Sequence, residues 1–181
     1  FRHPGDLQKR VSEIVARELD YQIARSYIDW RASPSKAELH QVCQDGILGY
    51  LRTMKANRLL GPYAKAEVDL TGWVNKWNPV GGRADLVVRR DDTRISILDG
   101  KNSKDKGKYT DPDQLRWYAM CFYLAFQKLP DRLGFVYYRF PHDPETGEQG
   151  VEWVPYTRED VKGIAQRALD ARKGMDKRKF A

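Results

Sequence analysis

Residues 81–101 read GGRADLVVRRDDTRISILDGK, and this stretch decides the fold. The glycine pair at 81–82 signals a turn, and the apolar run that follows predicts a strand over residues 83–90. Four charged residues then turn the chain. Alternating apolar side chains predict a returning strand over residues 95–98. The two strands should pair as a hairpin, so that the start of the first lies beside the end of the second.

Three charged side chains should meet at that end of the hairpin. Asp85 opens the first strand, Asp99 ends the second, and Lys101 follows on the same face as Asp99 because strand side chains alternate. Neighbouring carboxylates repel unless a cation lies between them, and Mg²⁺ prefers hard oxygen ligands such as carboxylates, water and phosphate. A metal ion activates water, and an ammonium group stabilises charge on the phosphate. These residue types therefore predict phosphodiester hydrolysis.

The rest of the chain predicts helices around a sheet. We expect N-terminal helices over residues 5–60, the first capped by Asp6 and the second starting near Ser33. We then expect a strand over 64–72, an irregular turn over 73–79, a helix over 112–128, strands over 132–140 and 151–155, and a helix over 157–176 with a basic tail. This order predicts an α/β (α+β) fold with a central mixed β-sheet flanked by helices. The 181 residues suit a single domain, with a catalytic core over 64–156.

Composition narrows the class of protein. The formal net charge is +7, which favours a polyanion partner, although solubility alone is an alternative explanation. Two cysteines without a CxxC pair argue against a zinc knuckle or an iron–sulfur cluster held by this chain, and they suit a reducing cytoplasm. No run approaches the roughly 18 apolar residues that span a membrane. The chain does not begin with Met, so we expect a fragment or a processed protein.

Three motifs in this order resemble the PD-(D/E)XK nuclease superfamily, and most closely its branch of RecB-type nuclease domains and Cas4-like exonucleases. They are GGRADLVV, which contains Asp85, ILDGKNS, which contains Asp99 and Lys101, and DQLRWYA, which contains Gln114 and Tyr118. The resemblance covers about residues 64–125 and implies a restriction-endonuclease-like core. Asp-x-Lys alone is weak, since Asp160-Val161-Lys162 repeats it inside a predicted helix. Cas4-type proteins hold an iron–sulfur cluster with four cysteines, so this chain resembles the members without one.

The resemblance also implies roles for individual residues. Asp85, Asp99 and the carbonyl of Gly100 would hold Mg²⁺ or Mn²⁺, and Lys101 would position the water. Gln114 and Tyr118, four residues apart on one helical face, would hold the active site or the DNA strand. His40, on an upstream helix, is the candidate for a further metal ligand, and its alternative is a surface or half-buried histidine. Glu67 is a candidate extra acidic ligand, and its alternative is a solvated surface group.

The basic residues near the motifs are candidates for DNA contact. Lys104, Lys106 and Lys108 follow the catalytic strand directly, where a positive loop would grip phosphates. Their alternative is a mobile solvated loop. Arg116, within the third motif, is the fourth candidate.

The leading hypothesis is a metal-dependent DNA nuclease with little sequence specificity, since no base-reading motif is present. An exonuclease acting at the ends of single- or double-stranded DNA is favoured by the family resemblance only. Two alternatives stay open: a non-catalytic nucleic-acid-binding module, and a subunit active only within a larger recombination or replication complex. The sequence leaves open whether the substrate is DNA or RNA, whether the protein forms a homo-oligomer, the polarity of digestion and the number of metals.

Overall fold

The computed structural model describes residues 4–26, 35–60, 63–90, 93–103 and 105–178. These residues form helices and strands in the following order: α1 (Pro4–Arg25), α2 (Lys36–Ala56), β1 (Ala64–Asn75), β2 (Asn78–Arg89), β3 (Ile95–Lys101), α3 (Pro112–Phe126), β4 (Arg132–Tyr137), β5 (Val151–Val154) and α4 (Arg158–Arg178). Among the helices of these ranges, none is both long enough and apolar enough to cross a membrane.

The strands form one mixed sheet in the order β1-β2-β3-β4-β5. β3 and β4 are parallel, with Ser96 opposite Arg132 and Lys101 opposite Tyr137, and α3 makes the crossover between them. The other neighbours are antiparallel. The predicted α/β fold with a central mixed sheet is therefore confirmed.

Each face of the sheet carries its own apolar core. On one face, Leu115 and Met120 of α3 pack with Ile97 and Phe135 of the central strands, and α4 adds Ile164. On the other face, α2 contributes Met54, which packs with Val88, Leu98 and Val136. Burying a large apolar side chain contributes roughly 1.5–3 kcal/mol. β3 therefore packs against an apolar core on each of its faces.

The hairpin of β1 and β2 is longer than the sequence predicts. Residues 73–79 are not an irregular turn, because the strands continue to Asn75 and resume at Asn78. Asn75 Oδ1 accepts hydrogen bonds from Trp77 N at 2.9 Å and from Asn78 Nδ2 at 2.8 Å, which closes a tight turn. The glycines and the proline near residue 80 suggest a loop, but cross-strand pairing outweighs them.

Several element boundaries also differ from prediction. α1 begins at Pro4, so Asp6 lies in its first turn and is not its cap. α2 begins at Lys36, because Ser35 and Glu38 form a capping box, and not near Ser33, which lies outside the described residues. α2 ends at Ala56 where Asn57 caps it. At the start of α4, Thr157 N donates a hydrogen bond to Asp160 Oδ2, and Asp160 N donates one to Thr157 Oγ1.

Candidate active site

Asp99 and Lys101 lie on β3, the middle strand of the five. β3 continues to Lys101, so Asp99 lies inside the strand and not at its end as predicted. Its parallel pairing with β4 includes Asp99 opposite Phe135. Asp99 is only 3% exposed. A carboxylate is therefore held in the interior of the sheet, next to an apolar core.

The structure brings Asp85 to the same place. The pairing of β2 with β3 runs as far as Leu86 opposite Leu98. Just beyond it, Gly100 N donates a 2.7 Å hydrogen bond to Asp85 Oδ2. The carboxylate thus binds the backbone between the other two charged residues, as the hairpin geometry predicts.

An irregularity of the sheet accompanies this contact. Ala84 and Val87 both pack into the α3-facing core although they are three residues apart, so strict side-chain alternation breaks between them. On the neighbouring strand, Glu67 has a φ of 51° and lies between Ala66 and Val68, which pair with Leu86 and Ala84. A non-glycine residue in this left-handed region costs about 1–3 kcal/mol, and such residues cluster at functional sites. The irregularity lies at the level of Asp85.

Gln114 connects the charged residues from the side of α3. Asp111 caps this helix and Pro112 occupies its first turn, which fixes where the first turn points. Gln114 Nε2 donates to Asp99 Oδ1 at 2.9 Å and to Tyr118 Oη at 3.2 Å. Its Oε1 accepts from Lys101 Nζ at 3.0 Å. Gln114, from the third sequence motif, therefore positions Asp99 and Lys101 of the second motif.

Asp99 and Lys101 form a nearly buried ion pair. Lys101 Nζ lies 2.6 Å from Asp99 Oδ2, and the two side chains are 14% and 4% exposed. Burial raises the pKa of Asp99, Lys101 opposes that rise, and Asp85 adds to it. Two carboxylates and one ammonium leave one negative charge in excess, which a divalent cation would offset.

The donor atoms fit a hard divalent cation. Asp99 Oδ2 is buried, and its close partner among the described residues is the Lys101 ammonium, 2.6 Å away. Within the described ranges, no three His, Cys, Asp or Glu side chains come close enough to form a complete protein cage. Such an open set suits Mg²⁺, which commonly keeps several waters and takes one or two carboxylates plus substrate phosphate.

Two tyrosines that the motifs do not contain lie on the opposite face of β3. A Cβ at Gly100 would lie 2.7 Å from Tyr138 Cζ and would overlap its hydroxyl, so this strand position needs glycine. Tyr50 of α2 packs against Tyr138 with ring centroids 5.4 Å apart. Burial raises the pKa of Tyr138, and Asp85 and Asp99 raise it further, so the phenol stays protonated. In the sequence Tyr50 belongs only to an apolar helical stripe, and nothing marks Tyr138.

The other two candidate ligands lie differently. His40 Nε2 lies 3.3 Å from the carbonyl oxygen of Ser12 on α1. It precedes Tyr50 by ten residues, which is about 15 Å along a helix. The structure therefore does not bring His40 to the carboxylates. Glu67 is exposed and lies 4.0 Å from Arg83 Nη1, although its charge still raises the pKa of Tyr138.

The basic candidates are mostly engaged with acidic side chains. Lys106 Nζ contacts both oxygens of Glu148 at 2.7 Å, and Lys108 Nζ lies 3.5 Å from Asp105. Lys104 lies outside the described residues. Arg116 Nη1 binds Asp113 at 2.9 Å. Two residues of α-helix turn it about 200° away from Gln114, so the structure places Arg116 on a different face of α3 from Gln114.

The comparison with protein families agrees with the motifs. A sequence model described as the PD-(D/E)XK nuclease superfamily matches residues 2–181. No curated protein matches the chain. Among solved structures, the chain is similar to one titled "Crystal structure of SSO0001", with 14% identity and a TM-score of 0.39 over 90% of this chain and 86% of that one.

Proposed function

Because the chain belongs to the PD-(D/E)XK nuclease superfamily, we propose that it is a Mg²⁺- or Mn²⁺-dependent deoxyribonuclease. The observation that carries the proposal is the closed network at the sheet centre. Gln114 bonds both Asp99 and Lys101, and Gly100 N bonds Asp85. A structural ion pair needs no second carboxylate beside it, since that only adds repulsion. A divalent cation that acts on phosphate is commonly held by one or two carboxylates, and the cation removes that repulsion.

Different residues of the chain would have different roles in the reaction. Asp85, Asp99 and the carbonyl of Gly100 would hold the divalent cation, which supplies Lewis acidity to the scissile phosphate and the attacking water. Lys101 lies beside them, fixed by Gln114 and by the Phe135 ring 5.1 Å from its Nζ. From there its ammonium orients the water and offsets the charge that develops on the phosphate. Gln114 and Tyr118 keep Asp99 in one orientation.

The finer features of the proposal rest on the family resemblance. We assign the chain to the RecB-type and Cas4-like branch without an iron–sulfur cluster, and expect it to degrade DNA from ends. The absence of a base-reading motif supports low sequence specificity. A net charge of +7 supports binding through phosphates.

The test is cleavage of end-labelled linear DNA and closed circular DNA with Mg²⁺, Mn²⁺ or EDTA. Lys101→Ala is compared with Lys162→Ala, which alters the other Asp-x-Lys tripeptide at an exposed position on α4. We expect metal-dependent loss of linear DNA, survival of the circle, and a drop of about 10²–10³-fold for Lys101→Ala only.

Other outcomes would replace this proposal. Cleavage of the circle would make the protein an endonuclease. Binding without cleavage by the wild-type protein would indicate the non-catalytic module. Cleavage that begins only when cell extract is added would indicate a subunit of a larger complex. Equal loss of activity in both lysine variants would remove Lys101 from the mechanism.

A further inference from the structure

A groove opens beside the two tyrosines, on the face of β3 away from Gln114. It encloses about 660 Å³ between α2 and the chain that follows β4. Tyr50 and Tyr138 form its end nearest the carboxylates, and Arg52 and Arg139 are among the other residues that line it. We call it the α2 groove.

The α2 groove adjoins the candidate active site through Tyr138, which lines the groove. Tyr138 lies over Gly100, and Gly100 N is the donor to Asp85. Tyr138 N also donates to the carbonyl oxygen of Lys101 at 3.0 Å. Tyr138 therefore lies between the carboxylates and the groove, and the units next to a phosphate held at the carboxylates would lie beside it.

The two arginines of the groove offer free donors. Arg139 Nε donates to the backbone and side-chain oxygens of Asn102, both at 3.1 Å, which fixes the guanidinium plane. Its two Nη groups have no hydrogen-bond partner in the part of the chain described. Arg52 is exposed and forms no ion pair there. Asp45, an acidic residue of the lining, is engaged by Gln41 at 2.8 Å.

Apolar and aromatic surface lies between the charges. Val42 and Ile47 of α2 line the groove and are 58% and 38% exposed. The Tyr50 and Tyr138 rings are half-buried and tilted by 56°. Unpaired bases bind such surfaces, and a stacked base contributes about 1–3 kcal/mol. Arginine forks at the rim match phosphates in geometry.

A second cavity, of about 720 Å³, lies on the other side of the site, between α4 and the tip of the β1–β2 hairpin. Its Arg167 is already paired with Asp113 at 2.6 Å. Of the two cavities, the α2 groove therefore fits a phosphate backbone better.

We propose that the α2 groove binds a single strand of the nucleic-acid substrate, with Arg52 and Arg139 on its backbone phosphates. This inference rests on the proposed function. The volume falls in the range of about 300–1,000 Å³ usual for small ligands, which matches one or two unpaired nucleotides better than the stacked pairs of a duplex. The substrate strand would therefore be unpaired where it occupies the groove.

The test measures binding in EDTA, where no cutting occurs, of a fluorescent single-stranded oligonucleotide over a salt series. Arg52→Ala and Arg139→Ala are compared with Arg132→Ala, which removes the same charge at the other end of β4. We expect each groove variant to weaken binding about tenfold. The slope of log K against log salt should fall by about 0.7 for each phosphate that the variant no longer neutralises.

A conservative variant and a duplex substrate test the proposed binding further. Arg139→Lys should keep the salt slope but bind more weakly, because it loses the fork that Asn102 orients. A blunt duplex should respond to the groove variants much less than the single strand does. Unchanged salt slopes in both alanine variants, or an equal effect of Arg132→Ala, would overturn the proposal. Groove-dependent binding by a protein that never cuts with metal would refute only the proposed function.

Discussion

At the scale of single residues, Gln114 links the parts of the site that the chain keeps apart. It bonds Asp99 and Lys101 from α3 and also reaches Tyr118. We expect Gln114→Leu to lower cleavage about 10–100-fold, the usual effect of losing a group that orients a metal ligand. Tyr118→Phe should lose less, since Gln114 keeps its two other bonds. Oligonucleotide affinity in EDTA should not change, and a large fall there would assign Gln114 to substrate binding.

Gly100 is a second residue whose identity the site requires. A side chain there would overlap Tyr138, so we expect Gly100→Ala to destabilise the fold by about 1–3 kcal/mol. Gly163→Ala is the matched control, because a Cβ at that helical position meets nothing within 4 Å. It should stabilise α4 by about 1 kcal/mol. Urea unfolding measures both changes, and equal midpoints for the two variants would contradict the packing argument.

At the scale of elements, the start of α4 makes stability depend on pH. Hydrogen bonds from the Thr157 side chain and then from its backbone lower the pKa of Asp160 below 3.8. The stability that the ionised Asp160 adds to the fold is present above pH 3.8. It is lost as the pH falls through the lowered pKa of Asp160 in the folded state.

Thr157→Ala removes the hydroxyl that bonds Asp160. It should cost about 1 kcal/mol of stability at neutral pH, as the loss of a helix cap does. The wild-type advantage over this variant should shrink as the solution is acidified through that range. Chemical denaturation over a pH series measures it. A constant difference at all pH values would show that the Asp160 charge plays no part.

At the scale of the whole molecule, the excess negative charge at the sheet centre should couple metal binding to folding. A ligand that binds only the folded state stabilises it by about 2.7 kcal/mol at 100 times its dissociation constant. We therefore expect Mg²⁺ and Mn²⁺ to raise the melting temperature of the wild type but not of Asp99→Asn. Asp69→Asn is the control, since that exposed carboxylate pairs with Arg83 at 2.8 Å. A rise in all three proteins would indicate nonspecific binding.

Local sequence patterns were sufficient to predict much of the fold and the centre of the candidate site. The apolar residues over 86–88 and 95–98 predict the two strands of the hairpin. The hairpin brings Asp85 to Asp99 and Lys101, because strand geometry determines which side chains are neighbours. The pairing of Thr157 with Asp160 needs only three residues of separation. Hydrophobic periodicity likewise predicts the mixed sheet between helices.

Tertiary packing decided the rest. Tyr50 meets Tyr138 beside Gly100 because α2 packs on the sheet face opposite α3, and no spacing in the sequence encodes that approach. His40 fits the predicted helix but lies against α1, and Arg116 fits the third motif but binds Asp113. The meeting of the charged residues in one hairpin can be predicted from the sequence, since these residues lie close along the chain. Only the tertiary structure decided which remote side chains surround them, because that depends on how whole helices dock on the sheet.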